Sequence, residues 1–198
     1  MLNKCFDKLV IIASSTGGPK ALHKIIPFLD KNLDAPVVVV QHIPKGFTNS
    51  LSHRLNDISD VQVSEAYHDH ILEKGHVYIA RGGTHLKIRQ SVKGTLHFCE
   101  DDSEPVNGLK PYANITLDSI ANLKISFIYF VILTGMGSDG YLGLKKIKEN
   151  HQVYTIAQSK DTCVVYGMPK VIIENGLADN ILPLDLIGNE INNKVGVF

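Results

Sequence analysis

Apolar and polar positions along this chain fall into short blocks that switch between strand and helix periods. Leu9–Ala13 is an unbroken apolar run of five, the length of a strand buried on both faces. It stops at Ser14-Ser15-Thr16-Gly17-Gly18-Pro19. The next stretch, Lys20–Asp30, sets Leu22, Ile25, Ile26 and Leu29 on one helical face. Pro19 suits the first turn of that helix, where its missing N–H would have had no partner. The same succession returns at once. Four valines in Val37–His42 predict a second buried strand, Ile43-Pro44-Lys45-Gly46 a turn, and Phe47–Asn56 a short helix.

From Val61 to about Glu100 the pattern changes. Val61–Val63 and Val77–Ala80 read as short strands, and Arg81-Gly82-Gly83 as a turn. His85–Gln90 and Thr95–Glu100 alternate about Lys93-Gly94 as a hairpin does. Antiparallel elements are therefore expected to flank a parallel sheet here. An acidic loop, Glu100–Glu104, leads through the turn Pro105–Gly108 to a helix at Ala113–Leu123. Ile125–Leu133, the longest apolar run, predicts a central strand, and it too ends in a glycine-rich turn, Thr134–Gly140. A helix at Tyr141–Glu149, a strand at Val153–Ala157 and a helix at Gly167–Asn175 with Gly176 as its C-cap follow. Asp179–Leu182 and Leu184–Ile191 close the chain as strand and helix. The expected fold is α/β: a doubly wound, mostly parallel, Rossmann-like sheet with an antiparallel hairpin insertion. With no internal repeat or linker, residues 1–198 read as one domain with its core at about 9–191.

Composition narrows the partners. Twenty Lys and Arg balance twenty Asp and Glu, so no net field draws this chain to nucleic acid or to an anionic membrane. No apolar run approaches the ~20 residues of a membrane span, so no membrane insertion is expected. Met1–Lys8 lacks the pattern of a signal peptide. Cys5, Cys99 and Cys163 are too few and scattered for a disulfide framework. They read as core or bystander residues of a cytoplasmic protein. His68-Asp69-His70 and His85 lack a third ligand at fixed spacing, so no metal is expected, and no cofactor.

In an open parallel sheet the strands' carboxyl ends lie together and form the binding crevice. The carboxyl ends of the three most buried strands carry Ser15, His42 and Asp139. A hydroxyl, an imidazole and a carboxylate are the parts for activating a serine: His42 takes the proton of Ser15 and Asp139 orients His42. Glycines around Met136 let backbone N–H groups approach a substrate oxygen. Each residue also has a plainer reading. The turn at Ser14–Gly18 fits a structural turn, a phosphate cradle or a presented nucleophile. It lacks G-x-G-x-x-G and G-x-x-x-x-G-K-[ST], and it meets G-x-S-x-G only in part, with Ala13 two residues before Ser15. His42 fits a hydrogen-bonded structural histidine, and Asp139 a cap for the helix that follows it. A dinucleotide site wants an acidic residue ending the second strand, where this chain has Gln41 and His42. The alternatives to an enzyme are a non-catalytic binding module and a nucleotide-binding α/β domain.

Four longer segments carry a family likeness. They are Ser15-Thr16-Gly17-Gly18, Gln41–Thr48, Leu133–Gly140, and Ala157-Gln158 with Cys163–Pro169. Together with Tyr78-Ile79-Ala80, Gly82-Gly83, His85-Leu86 and Pro105–Gly108, they resemble the catalytic domain of CheB, the chemoreceptor protein-glutamate methylesterase and glutamine deamidase. The resemblance runs in order from about Leu9 to Leu186. It implies a serine hydrolase that demethylates glutamate methyl esters on the cytoplasmic helices of a methyl-accepting chemoreceptor and releases methanol. It implies Ser15 as nucleophile, His42 as base, Asp139 as orienting acid, and Thr16 and the Met136 N–H beside the oxyanion. Ser, His, Asp is a different chain order from the Ser, Asp, His of α/β-hydrolases. Ala13-Ser14 stand where the family usually has Gly-Ala, and Lys110-Pro111-Tyr112 where it has Arg-Pro-Ser. Ser159-Lys160 replace an acidic pair. The family's receiver domain has no counterpart in these residues, so constitutive activity, or control by a separate regulatory protein, is expected.

Overall fold

A computed structural model describes residues 7–198. Nine strands and six α-helices alternate along them. They are β1 (Lys8–Ser14), α1 (Gly18–Ile25), β2 (Val37–Gln41), α2 (Phe47–Asp57), β3 (Gln62–Glu65), β4 (His76–Ile79), β5 (His85–Gln90), β6 (Leu96–Asp101), α3 (Ala113–Ile120), β7 (Phe127–Ile132), α4 (Tyr141–Asn150), β8 (Gln152–Gln158), α5 (Met168–Glu174), β9 (Asn180–Leu182) and α6 (Leu184–Val195). Seven strands form one sheet in the order β3-β4-β2-β1-β7-β8-β9, every pair parallel. β1 lies at its centre, with Ile12 between Val39 and Val131. The chain winds outward from β1 to β2 on one side and returns to lay β7 on the other. A crevice opens at such a reversal, at the strands' carboxyl ends.

The unbroken apolar strands follow from burial on both faces. On one face Val10 and Ile12 pack with Leu22 and Ile25 of α1, Leu51 and Leu55 of α2, and Ile187 and Ile191 of α6. On the other, Leu9 and Ile11 pack with Leu117 of α3, Leu144 and Ile147 of α4, Ile172 of α5, and Phe98 of the hairpin. Each such aliphatic side chain contributes about 1.5–3 kcal/mol on full burial. The strand ends are therefore set on a rigid base.

The expected doubly wound sheet and hairpin insertion are both present, with three differences in detail. The helix expected at Lys20–Asp30 begins at Gly18 and tightens to a 3-10 turn at Ile26–Phe28, where Pro27 has no N–H to continue the ladder. The last helix runs on to Val195, because buried Ile187, Ile191 and Val195 continue one stripe while Asn192–Lys194 lie on its outer side. Only β5 and β6 are antiparallel; β3 and β4 join the main sheet in parallel. The crossover 66–75 between them satisfies its backbone on β6, with Asp69 N–H donating to Phe98 O (2.9 Å), Phe98 N–H to His70 O (3.0 Å) and Leu72 N–H to Leu96 O (3.1 Å). That non-local docking lets a ten-residue stretch cross without a helix.

Among the described residues no helix is long and apolar enough to cross a membrane, and no group of three His, Cys, Asp or Glu side chains is placed to hold a metal. Cys99 is buried and Cys163 partly buried, both free thiols; Cys5 lies outside the described residues.

Candidate active site

Two adjacent serines end β1, and the fold treats them differently. Ser14 is fully buried and its hydroxyl donates to Gln41 Oε1 at 2.6 Å. Ser15 turns out to the rim, partly exposed, with its N–H donating to Thr134 O (3.0 Å) and its carbonyl accepting from Gly18 N–H (2.8 Å). Gln41, the last residue of β2, is also buried. Its amide donates to the carbonyls of Ser15 (3.0 Å) and His42 (2.8 Å). One side-chain amide thus stitches two strand ends and fixes where Ser15 and His42 leave the sheet.

The glycines are required by closeness. A Cβ on Gly18 would lie 1.8 Å from Gln41 Oε1, and one on Gly135 would lie 2.8 Å from Ser15 Cβ. The second contact brings the turn after β7 against the serine. There the backbone N–H groups of Thr16 and Met136 have no acceptor among the described residues. Thr16 is exposed at the turn, with its carbonyl taken by Thr134 Oγ1 at 2.9 Å, and the Met136 side chain stands out into solvent.

His42 Nε2 lies 2.6 Å from Asp139 Oδ2, and each side chain is 3% exposed. The Asp139 carboxylate also accepts from Ala113 N–H at 2.6 Å and from the N–H groups of Asn114 and its own neighbour Gly140, both at 2.9 Å. A carboxylate surrounded by donors only accepts, so the shared proton resides on Nε2 of His42. Nδ1 is left with its lone pair, buried and without a partner among the described residues. In the chymotrypsin-like arrangement the carboxylate holds Nδ1; here it holds Nε2. No hydrogen bond joins the Ser15 hydroxyl to His42 among the described residues, a bond that commonly tightens only when substrate binds.

Asp139 is a helix cap, but for a different helix than its place in the chain suggests. It receives the first N–H groups of α3, and Asn114, inside α3, returns the favour by accepting from Gly140 N–H (3.0 Å) and Gly143 N–H (2.8 Å) at the head of α4. The two helix N-termini cap each other across the site. Gln41, Asn114, Thr134 and Tyr112, whose ring lies parallel to that of His42, are site neighbours to which the sequence pattern assigns no role. A polar amide ending an otherwise all-valine strand was the available signal for Gln41.

A cleft of about 240 Å³ beside His42 is lined by Ile43, Pro44, Gly108, Leu109 and Lys110. A larger hollow of about 480 Å³, around Asp7, Ile125 and His151, includes none of the residues just described. Of the histidines weighed for metal, exposed His68 faces Asp69 at 3.6 Å, and His85 is buried under the loop that carries Glu104.

The CheB methylesterase family matches residues 10–191. A relative from Syntrophomonas wolfei named protein-glutamate methylesterase/protein-glutamine glutaminase 1 is 49% identical over 188 residues, which are 93% of this chain and 53% of the relative. One of the same activity name from Archaeoglobus fulgidus is 46% identical, over 95% of this chain and 53% of its own length. The chain spans about half the length of the curated relatives it matches. The crystal structure of the Thermotoga maritima CheB methylesterase catalytic domain superposes with a TM-score of 0.90 at 46% identity, covering 95% of this chain and 98% of that one.

Proposed function

This chain belongs to the CheB methylesterase family, and we propose that it hydrolyses glutamate methyl esters on a protein substrate, the cytoplasmic helices of a chemoreceptor. It releases methanol there, and by the same route releases ammonia from glutamine. The observation that supports this reading is the state of His42: Nε2 tied to a carboxylate capped by three N–H groups, Nδ1 buried and free, beside a serine turned outward at the neighbouring strand end.

In the proposed mechanism Ser15 Oγ attacks the ester carbonyl carbon while its proton passes to His42 Nδ1. The imidazolium is held by Asp139, and the oxyanion by the N–H groups of Thr16 and Met136. Collapse breaks the carbonyl–methoxy bond, and His42 returns the proton to the leaving oxygen, giving methanol and a Ser15 acyl-enzyme. Water, deprotonated by His42, then attacks the acyl carbon and frees the glutamate carboxylate and Ser15. No metal or cofactor takes part. Residues 1–198, with the core at about 9–191, carry this chemistry as one domain, and its place of action is the cytoplasm, where the receptor helices lie.

Incubation with methyl-labelled receptor and measurement of volatile methanol tests the proposal. Wild type releases methanol, and Ser15→Ala does not, with a loss on the order of a million-fold. A sulfonyl fluoride modifies wild type at Ser15 and leaves Ser15→Ala untouched. Neither methanol release nor labelling in wild type would favour a binding module that keeps only the fold.

A further inference from the structure

We infer that Tyr112 is a positioning residue for the His42 base: its ring fixes the plane of the imidazole and stabilises the imidazolium that forms when His42 takes the serine proton. The inference deepens the function proposed above and rests on it. The two rings are parallel to within 3°, with centroids 6.0 Å apart. A single hydrogen bond at Nε2 leaves an imidazole free to turn about that bond. A parallel aromatic ring alongside limits that freedom.

The placement of Tyr112 is itself built. It immediately precedes α3, so the next N–H along, that of Ala113, is the one that donates to Asp139 Oδ2. One short segment therefore both holds the carboxylate that meets His42 and sets the ring alongside it. The phenol end meets Asn107 Nδ2, which donates to it at 3.5 Å. Asn107 and Gly108 both take left-handed backbone (φ 52° and 76°), closing a two-residue turn in which Val106 and Leu109 exchange both their backbone hydrogen bonds. Tyr112 is braced at its backbone and near its tip.

Burial, reinforced by the charge of Asp139, pushes the Tyr112 phenol above its ordinary value, so the ring stays neutral at working pH. A neutral ring presents a negative face, and a cation within ~6 Å of its centroid is attracted. The charged or titratable groups around His42 are Asp139 from the turn before α4, Tyr112 ahead of α3, and Lys110, which shares the cleft and faces Asp102 at 3.7 Å. Only Tyr112 changes in the variants below.

The experiment is an NMR titration of the His42 imidazole, with the kcat–pH profile on methylated receptor, in wild type, Tyr112→Phe and Tyr112→Leu. Leu keeps an apolar cover but has no π face. It is expected to lower the His42 midpoint by roughly half a unit to one unit and kcat by about three- to tenfold, with KM little changed. Phe, which keeps the face, is expected to restore both. Should Leu disturb folding, which amide spectra report, Tyr112→Met gives the same reading. A midpoint in the Leu or Met variant equal to that of wild type overturns the inference, and so does a Phe variant that behaves like Leu. The titration needs no turnover. A chain that releases no methanol therefore fails the proposed function, while normal methanol release with an unmoved midpoint fails only the role of Tyr112.

Discussion

Two corners of this molecule bury a histidine, and they use it in opposite ways. His42, at the end of β2, meets a carboxylate at Nε2, and that carboxylate is anchored by helix N-terminal N–H groups. His85, at the start of β5, is fully buried, and its Nε2 faces only the backbone carbonyl of Glu104 at 3.1 Å. Both leave Nδ1 buried and unpartnered among the described residues. What separates them is the charge opposite the other nitrogen. A carboxylate stabilises an imidazolium. A neutral carbonyl is too weak to offset desolvation, and burial pulls the His85 pKa down, with the Glu104 carbonyl opposing it only in part. Burial alone disfavours the charged imidazole; a held anion opposite it offsets that cost.

The sharpest way to break the comparison is to remove each ring. His42→Gln is expected to lower kcat by a factor approaching the million-fold loss of a missing triad member, and His85→Gln to leave kcat within about twofold. Equal losses in a methanol-release assay would erase the distinction. Asp139→Asn is next. An amide cannot accept from every donor now facing the carboxylate, and it favours the wrong His42 tautomer, so kcat is expected to fall roughly ten-thousand-fold. Restoration of rate at high pH in that variant would show that Asp139 acts on the charge of His42 alone and not on its tautomer.

Stability changes are smaller. Gln41→Leu removes the partner of Ser14 Oγ and of two carbonyls in a buried place, with an expected cost of about 2–4 kcal/mol in urea unfolding. Ser14→Ala removes only one of those bonds and is expected to cost about 1 kcal/mol. A Ser14→Ala variant as damaging as Gln41→Leu would mean that the strand ends are held by the hydroxyl and not by the amide.

The smallest effect is the pH dependence of His85. Its folded pKa is depressed, so the unfolded chain binds the proton more readily; stability is full above the free value of 6.5 and is lost as pH falls below it. His76, also pulled down by burial, adds to the same window. The urea midpoint is expected to drop between pH 7.5 and 5.5, and His85→Gln to make that drop shallower. An unchanged slope in His85→Gln would assign the dependence to other groups.

Residue order alone dictates most of the elements and the class of fold they build. Apolar runs at Leu9–Ala13, Val37–Val40 and Phe127–Leu133 have no polar side to give to water, so they must lie inside a covered parallel sheet, and the glycine turns after them mark where it ends. It also pointed to Ser15, His42 and Asp139, in the loops that follow β1, β2 and β7. What it left open depends on contacts between residues far apart in the chain. Periodicity is blind to the docking of the crossover 66–75 on β6, which turns β3 and β4 parallel. A sequence does not say which ring nitrogen of His42 meets Asp139, because that depends on how β2 and the turn before α4 come together. It suggested that Asp139 caps the helix beginning next to it, whereas packing brings α3 to that carboxylate instead. Local propensity is written residue by residue, but hydrogen-bond partners are chosen only after the layers have closed, when each buried donor must find whatever acceptor the tertiary fold has put beside it.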